Sequence, residues 1–191
     1  YNFKKFNKKV FLNNKDNYSG QVLVEFNAFH SDHIFLAYLS NYFSKKYGSK
    51  IIAFYNYKLI VSPLIDSFIN KIRWTISKFI NYKNFGVYKS FGTQKFIKPN
   101  IKNKHTLLAS KKYQKIIKKI RSKNDIYKIN INNVLIGDLI YDSYLKYYYE
   151  PTINFQSEKF KSFLFDFIRL YFFWDEYLGI NNVKAILAVH G

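Results

Sequence analysis

The sequence predicts an α/β fold with a parallel sheet and helices on both faces. Three observations lead there. Short β-rich apolar runs alternate with helical stripes in the order strand–helix–strand–helix–strand–helix, followed by an inserted unit, a helix and a last strand. The stretch Gln21–His33, QVLVEFNAFHSDH, reads as a buried strand leading straight into a helix start. The chain closes on another apolar run, Lys184–Val189, after the longest helical stripe.

In chain order, residues 1–19 are rich in Lys and Asn with scattered Phe, and are expected to form a loose basic leader ahead of one domain over 20–191. Val22, Leu23, Val24 and Phe26 form the opening strand behind Ser19-Gly20. Asn27–His30 then turn the chain, and Ser31 or Asp32 can cap a helix running to about Lys46, with Ile34, Ala37, Tyr38, Asn41 and Tyr42 on one face and Gly48 as its stop. Lys50–Tyr57 is a second strand. Ser62-Pro63 opens a helix with a clear apolar stripe (Ile65, Phe68, Ile69, Ile72, Ile76, Phe79, Ile80) through Tyr82. Gly86–Phe91 is assigned as the third strand.

After a polar stretch with Gly92 and Pro99, His105-Thr106 begins a helix with Tyr113, Ile116, Ile117 and Ile120 inward and lysines in its last turns. Tyr127–Ile136 alternates and turns at Asn132-Asn133, which predicts a short extended piece or hairpin. Gly137-Asp138 leads into a helix ended by Glu150-Pro151. Ser157 caps a long aromatic helix to Leu178, stopped by Gly179.

The 191 residues are enough for a domain with a real core. The chain contains no Met and ends just after an apolar run, so it reads as an N-terminal piece of a longer protein. A net charge of +19, from 31 Lys+Arg against 12 Asp+Glu, suggests anionic partners such as nucleic acid, lipid head groups or phosphates. A second origin is open: Lys, Asn, Ile, Tyr and Phe all have A/T-rich codons, so genome composition alone yields this balance. Arginine, the usual reader of base edges, occurs only at 73, 121 and 169, which weighs against nucleic acid. No cysteine is present, so disulfide and thiolate chemistry are excluded. The longest charge-free apolar stretch, Ile34–Ser44, is far short of a spanning helix, and no signal-peptide pattern opens the chain. A cytoplasmic protein, peripheral at an inner membrane through its lysines, fits these features.

Three segments carry a resemblance: VLVEFNAFHSDHIFLAYLSNYFSKKYGSKIIAF, NNVLIGDLIYDSYLKYYYEPTI and NNVKAILAVHG. Together they resemble bacterial surface-polysaccharide (capsule or lipopolysaccharide) biosynthesis proteins of glycosyltransferase type, over most of 20–191. The most specific part is GDLIYDSYLK, Gly137–Lys146, where Lys146 stands in place of the Arg expected there. The resemblance implies a GT-B-like protein of two Rossmann-like domains with a cleft between them. This chain would be the N-terminal, acceptor-side domain, with a nucleotide-sugar as donor substrate and no cofactor.

Sugar transfer needs a base for the acceptor hydroxyl, and positive charge or N–H dipoles for the leaving phosphates. His30 follows the first strand at the end where parallel sheets place ligands, and is the first candidate for base or acceptor contact; the alternative is a capping or packing histidine. His190 follows the last strand in the same way, with Gly191 allowing close backbone approach. Asp138 and Asp142, four apart, share a helix face and could hold a divalent cation or act as acid and base; helix capping by Asp138 and a lysine partner for Asp142 are the alternatives. The catalytic candidates are therefore His30, Asp142 and His190, and the substrate-binding candidates Asn27, Ser31 and Asp138. His33 is a weaker site candidate. His105 reads as a surface or cap residue, and Glu25, inside an apolar strand, as paired. No G-x-G-x-x-G, Walker loop, Cys/His metal spacing or nucleophile elbow is present. The competing function is a non-catalytic basic module that binds nucleic acid or an anionic membrane surface.

Overall fold

A computed structural model describes residues 2–11, 17–26, 34–55 and 68–188. The chain forms two compact units, one of residues 1–57, 65–99 and 177–191 and the other of 58–64 and 100–176.

The first unit is built on a four-stranded, all-parallel sheet flanked by helices. Its elements are α1 (Asn2–Phe11), β1 (Gly20–Glu25), α2 (Ile34–Tyr47), β2 (Ser49–Phe54), α3 (Phe68–Phe79), α4 (Asn84–Ser90), β3 (Thr93–Ile97) and a last strand, Val183–Leu187. The sheet order is β3-β2-β1 followed by that last strand, every neighbour pair parallel. This is a Rossmann-like arrangement. The chain steps from β1 to β2 to β3 in one direction, then returns to the free side of β1.

Alternation along the strands divides the core. Val24, Phe26, Ile51, Ala53 and Phe96 share one face, where they pack with Leu36 and Ala37 of α2 and with Phe85, Tyr88 and Phe91 of and beside α4. Leu23 and Ile52, on the opposite face, are buried as well. The sheet is held at its amino end by close backbone approach. A Cβ on Gly20 would lie 2.5 Å from the Asn182 carbonyl oxygen, and the Asn182 side chain donates to the Ser19 carbonyl at 2.6 Å. Gln21 adds a side-chain clamp: it accepts from the Tyr177 hydroxyl at 2.7 Å and donates to Asn181 at 2.8 Å.

Two assignments change, and packing fixes the buried side of two helices. The Gly86–Phe91 segment is helical, not a strand. Phe85, Tyr88 and Phe91 recur every three residues and point one way into the core, while the third strand is the next segment, TQKFI, at the sheet edge. Residues 2–11 form a helix rather than a loose leader. Phe3 and Phe11 of that helix pack against Phe91, and the buried Asn7 donates to the Ser90 hydroxyl at 3.2 Å. On α2 the face of Ile34, Ala37, Tyr38, Asn41 and Tyr42 divides between buried and exposed positions. Leu36, Ala37, Ser40 and Asn41 face inward, with Asn41 donating to the Phe91 carbonyl, while Tyr38 and Tyr42 are exposed. Along α3 the described stripe residues Ile69, Ile72, Ile76, Phe79 and Ile80 face outward, because Trp74 on the other side supplies the packing through Phe26, Tyr55 and Phe85. Ser62, Pro63 and Ile65 lie outside the described residues.

The second unit comprises α5 (Asn103–Ile117), α6 (Lys123–Tyr127), the hairpin β4 (Asn130–Ile131) and β5 (Val134–Leu135), α7 (Gly137–Tyr148) and most of α8 (Glu158–Ile180). The last strand of the first unit is then β6 (Val183–Leu187). The hairpin turns at Asn132 and Asn133 with both φ angles positive, the geometry of a type I′ turn. Phe160, Phe163, Leu164, Ile168 and Phe172 of α8 pack with Ile126, Ile140 and Tyr144 in one apolar core. The Ser157 hydroxyl accepts from the Phe160 N–H at 3.2 Å, the cap that the sequence implies. Among the described residues no helix is long and apolar enough to cross a membrane.

Candidate functional site

Parallel strands lay their carboxyl ends at one edge of the sheet, and ligands collect where the strand order reverses. Here the reversal falls between β1 and β6: the chain leaves β1 toward β2 and comes back on the other side. Val24 and Leu187 are register partners, so the two strands finish side by side. The segment after β1 carries Asn27, His30, Ser31 and His33, and the segment after β6 carries His190 and Gly191. All six lie outside the described residues. The structure describes the strand ends that lead into both segments.

Those strand ends are well anchored. The Phe26 N–H donates to the Phe54 carbonyl at 2.8 Å, extending the β1–β2 ladder one residue past the strand. The Tyr88 hydroxyl donates to the main-chain carbonyl of Glu25 at 3.0 Å. Burial, and secondarily the Glu25 charge, push the Tyr88 hydroxyl far above its ordinary titration range, so it remains a donor. Glu25 itself is half-buried at the last position of β1 and has interaction partners, as its place inside an apolar strand requires.

The second candidate region is α7. GDLIYDSYLK divides into an inward and an outward row. Gly137, Ile140, Tyr141 and Tyr144 are buried. A Cβ on Gly137 would overlap the Ile126 carbonyl oxygen and sit 2.7 Å from the Tyr127 main chain, so only glycine lets α7 start against α6. Burial pushes the Tyr144 hydroxyl up to about 12. Asp138, Asp142 and Lys146, spaced by four, form an exposed row on the other side. Asp142 is thus at the surface and not enclosed by its tyrosine neighbours. Asp138 lies in the first turn and its carboxylate accepts from the Leu139 N–H at 2.8 Å, while the cap position itself is Ile136 with no side-chain cap. An acid there complements the helix dipole. Among the described residues no group of three or more His, Asp or Glu is placed to hold a metal ion.

His105 is a cap, but it is 2% exposed rather than superficial. Its Nδ1 accepts from the Lys102 N–H at 3.0 Å, so its Nε2 carries the proton and donates to Glu176 at 2.6 Å. Both ring nitrogens are committed, and the histidine fastens α5 to α8. Glu176 also binds Lys104 at 2.6 Å. Lys104 first, then His105, hold the Glu176 carboxyl at about 2, against its ordinary 4.5. Glu176 is not foreseeable from sequence, because its partner lies 71 positions away with no local signal.

No protein-family model, curated protein or solved structure matches the chain.

Proposed function

We propose that this chain is the acceptor-side part of a GT-B-like glycosyltransferase of bacterial surface-polysaccharide biosynthesis, carrying a sugar from a nucleotide-sugar to a glycan or lipid-linked acceptor. The observation that carries the reading is the reversal of strand order between β1 and β6, whose carboxyl ends lead into the two histidine-bearing segments.

In this reading His30 takes the proton of the acceptor hydroxyl as its oxygen attacks the anomeric carbon and the nucleotide phosphate departs. His190 hydrogen-bonds the acceptor or the departing phosphate, and Asn27 and Ser31 bind substrate hydroxyls. No cofactor is required; the nucleotide-sugar is a substrate.

The test uses the protein expressed from its whole coding sequence, with a panel of UDP- and GDP-sugars and a membrane-lipid extract as acceptor source. His30→Ala or His190→Ala should lower transfer by about a hundredfold or more with the circular-dichroism spectrum unchanged. Undiminished transfer in both variants would remove the site assignment.

A further inference from the structure

The α3 helix points its apolar stripe the wrong way for a core helix. Ile69, Ile72, Ile76, Phe79 and Ile80 fall within a band about 100° wide on a helical projection. All five are exposed, Ile69 at 73% and Phe79 at 83%. The helix is nonetheless anchored. Trp74, on the opposite side, packs edge-on against Phe26, Tyr55 and Phe85, and the Lys98 ammonium sits 4.5 Å from its ring centre. The outward stripe therefore has a fixed orientation.

Charge decides what can cover it. Phe68–Phe79 contains Lys71, Arg73 and Lys78 and no acidic residue. The α1 helix shows the same chemistry, with Lys4, Lys5, Lys8 and Lys9, no acid, and Phe6 exposed. Its Lys4 side chain and the Asn81 carbonyl just after α3 both crowd Gly86, so the two helices approach each other there. A second copy of this chain would bring another +19 against these lysines. A nucleic acid would meet the cations but offer no apolar surface to the isoleucines. A bilayer with anionic lipids satisfies both: the stripe enters the headgroup boundary, and the acid-free, basic character of α3 and α1 attracts the anionic surface. At 12 residues α3 is too short to span, so it lies in the interface plane.

We propose that α3 docks this protein on an anionic lipid surface, with Ile72, Ile76 and Phe79 inserted and α1 beside it contributing cations. The proposal stands on the exposed stripe and the wholly basic charge of α3 and α1, not on sugar transfer, so either reading can fail without the other.

The test is co-sedimentation of the full protein with vesicles of phosphatidylcholine alone or mixed with phosphatidylglycerol. The wild type should partition into the mixed vesicles about tenfold or more better than into the neutral ones. Ile72→Asp combined with Ile76→Asp should reduce that partitioning by about tenfold or more. Because Phe79 is among the most exposed residues, Phe79→Ser serves as a milder variant that leaves the fold intact, with a loss of about threefold or more. Equal partitioning of wild type and variants, or no sedimentation of the wild type with anionic vesicles, would overturn the proposal. So would light scattering that shows a wild-type dimer and a monomeric double variant, since a second copy would then cover the stripe.

Discussion

Replacing Gly137 by alanine perturbs one atom at the point where α7 starts against α6. The added Cβ would overlap the Ile126 carbonyl oxygen and come within 2.7 Å of the Tyr127 main chain. Both obstacles are backbone, so no rotamer change relieves the contact and the helices must separate. Ile126 and Ile140, each fully buried, would lose packing as they do. Overpacking of this kind costs about 3 kcal/mol at the upper end of its usual range, and alanine's better helix propensity returns about 1 kcal/mol at most. The net expectation is a loss of about 2 kcal/mol, read as a lower urea midpoint at unchanged slope by far-ultraviolet circular dichroism. Leu139→Ala, two residues on and exposed, should change stability by less than about 0.5 kcal/mol. A Gly137→Ala protein as stable as the wild type would refute the close approach of these helices.

Acid should weaken the α5–α8 fastening. The Glu176 carboxyl is depressed in the folded protein, so its contribution is complete above about 4.5 and fades as pH falls toward about 2. Urea midpoints measured against pH should therefore show Glu176→Gln less stable than wild type at neutral pH, with the difference closing across that interval; a constant difference would contradict the assignment. At the hairpin, where Asn133 has φ 65°, Asn133→Val should cost about 1–2 kcal/mol, whereas Asn133→Gly should be neutral or stabilising in the same assay.

Much of the sheet was legible in sequence, because β1, β2 and β6 are apolar runs with turn residues at their ends. β3 was not. As an edge strand it needs only one apolar face, and exposed Gln94 and Lys95 break the pattern. Its neighbour GVYKSF drew the assignment through its aromatic and β-branched residues, yet the three-residue spacing from Phe85 to Phe91 is helical. In α2, buried Ser40 and Asn41 find main-chain partners in the Ala37 and Phe91 carbonyls, which periodicity of apolar residues does not anticipate. In α3 the apolar periodicity marks one side of the helix but not which side packs, since Trp74, opposite five exposed stripe residues, fixes the packed one. For the candidate site, the four-residue spacing correctly put Asp138 and Asp142 on one face of α7. What it could not show was that this face is the outer one, because the buried side is set by Gly137 against α6.

The proposed convergence of His30 and His190, beyond the ends of β1 and β6, on one reaction site is tested most directly by a double-mutant cycle on kcat/KM for sugar transfer by the full-length protein. His30→Ala and His190→Ala should each lower kcat/KM by about a hundredfold or more, and the double variant should lose clearly less than the product of the two. Strictly multiplicative losses, or full activity in either single variant, would contradict it.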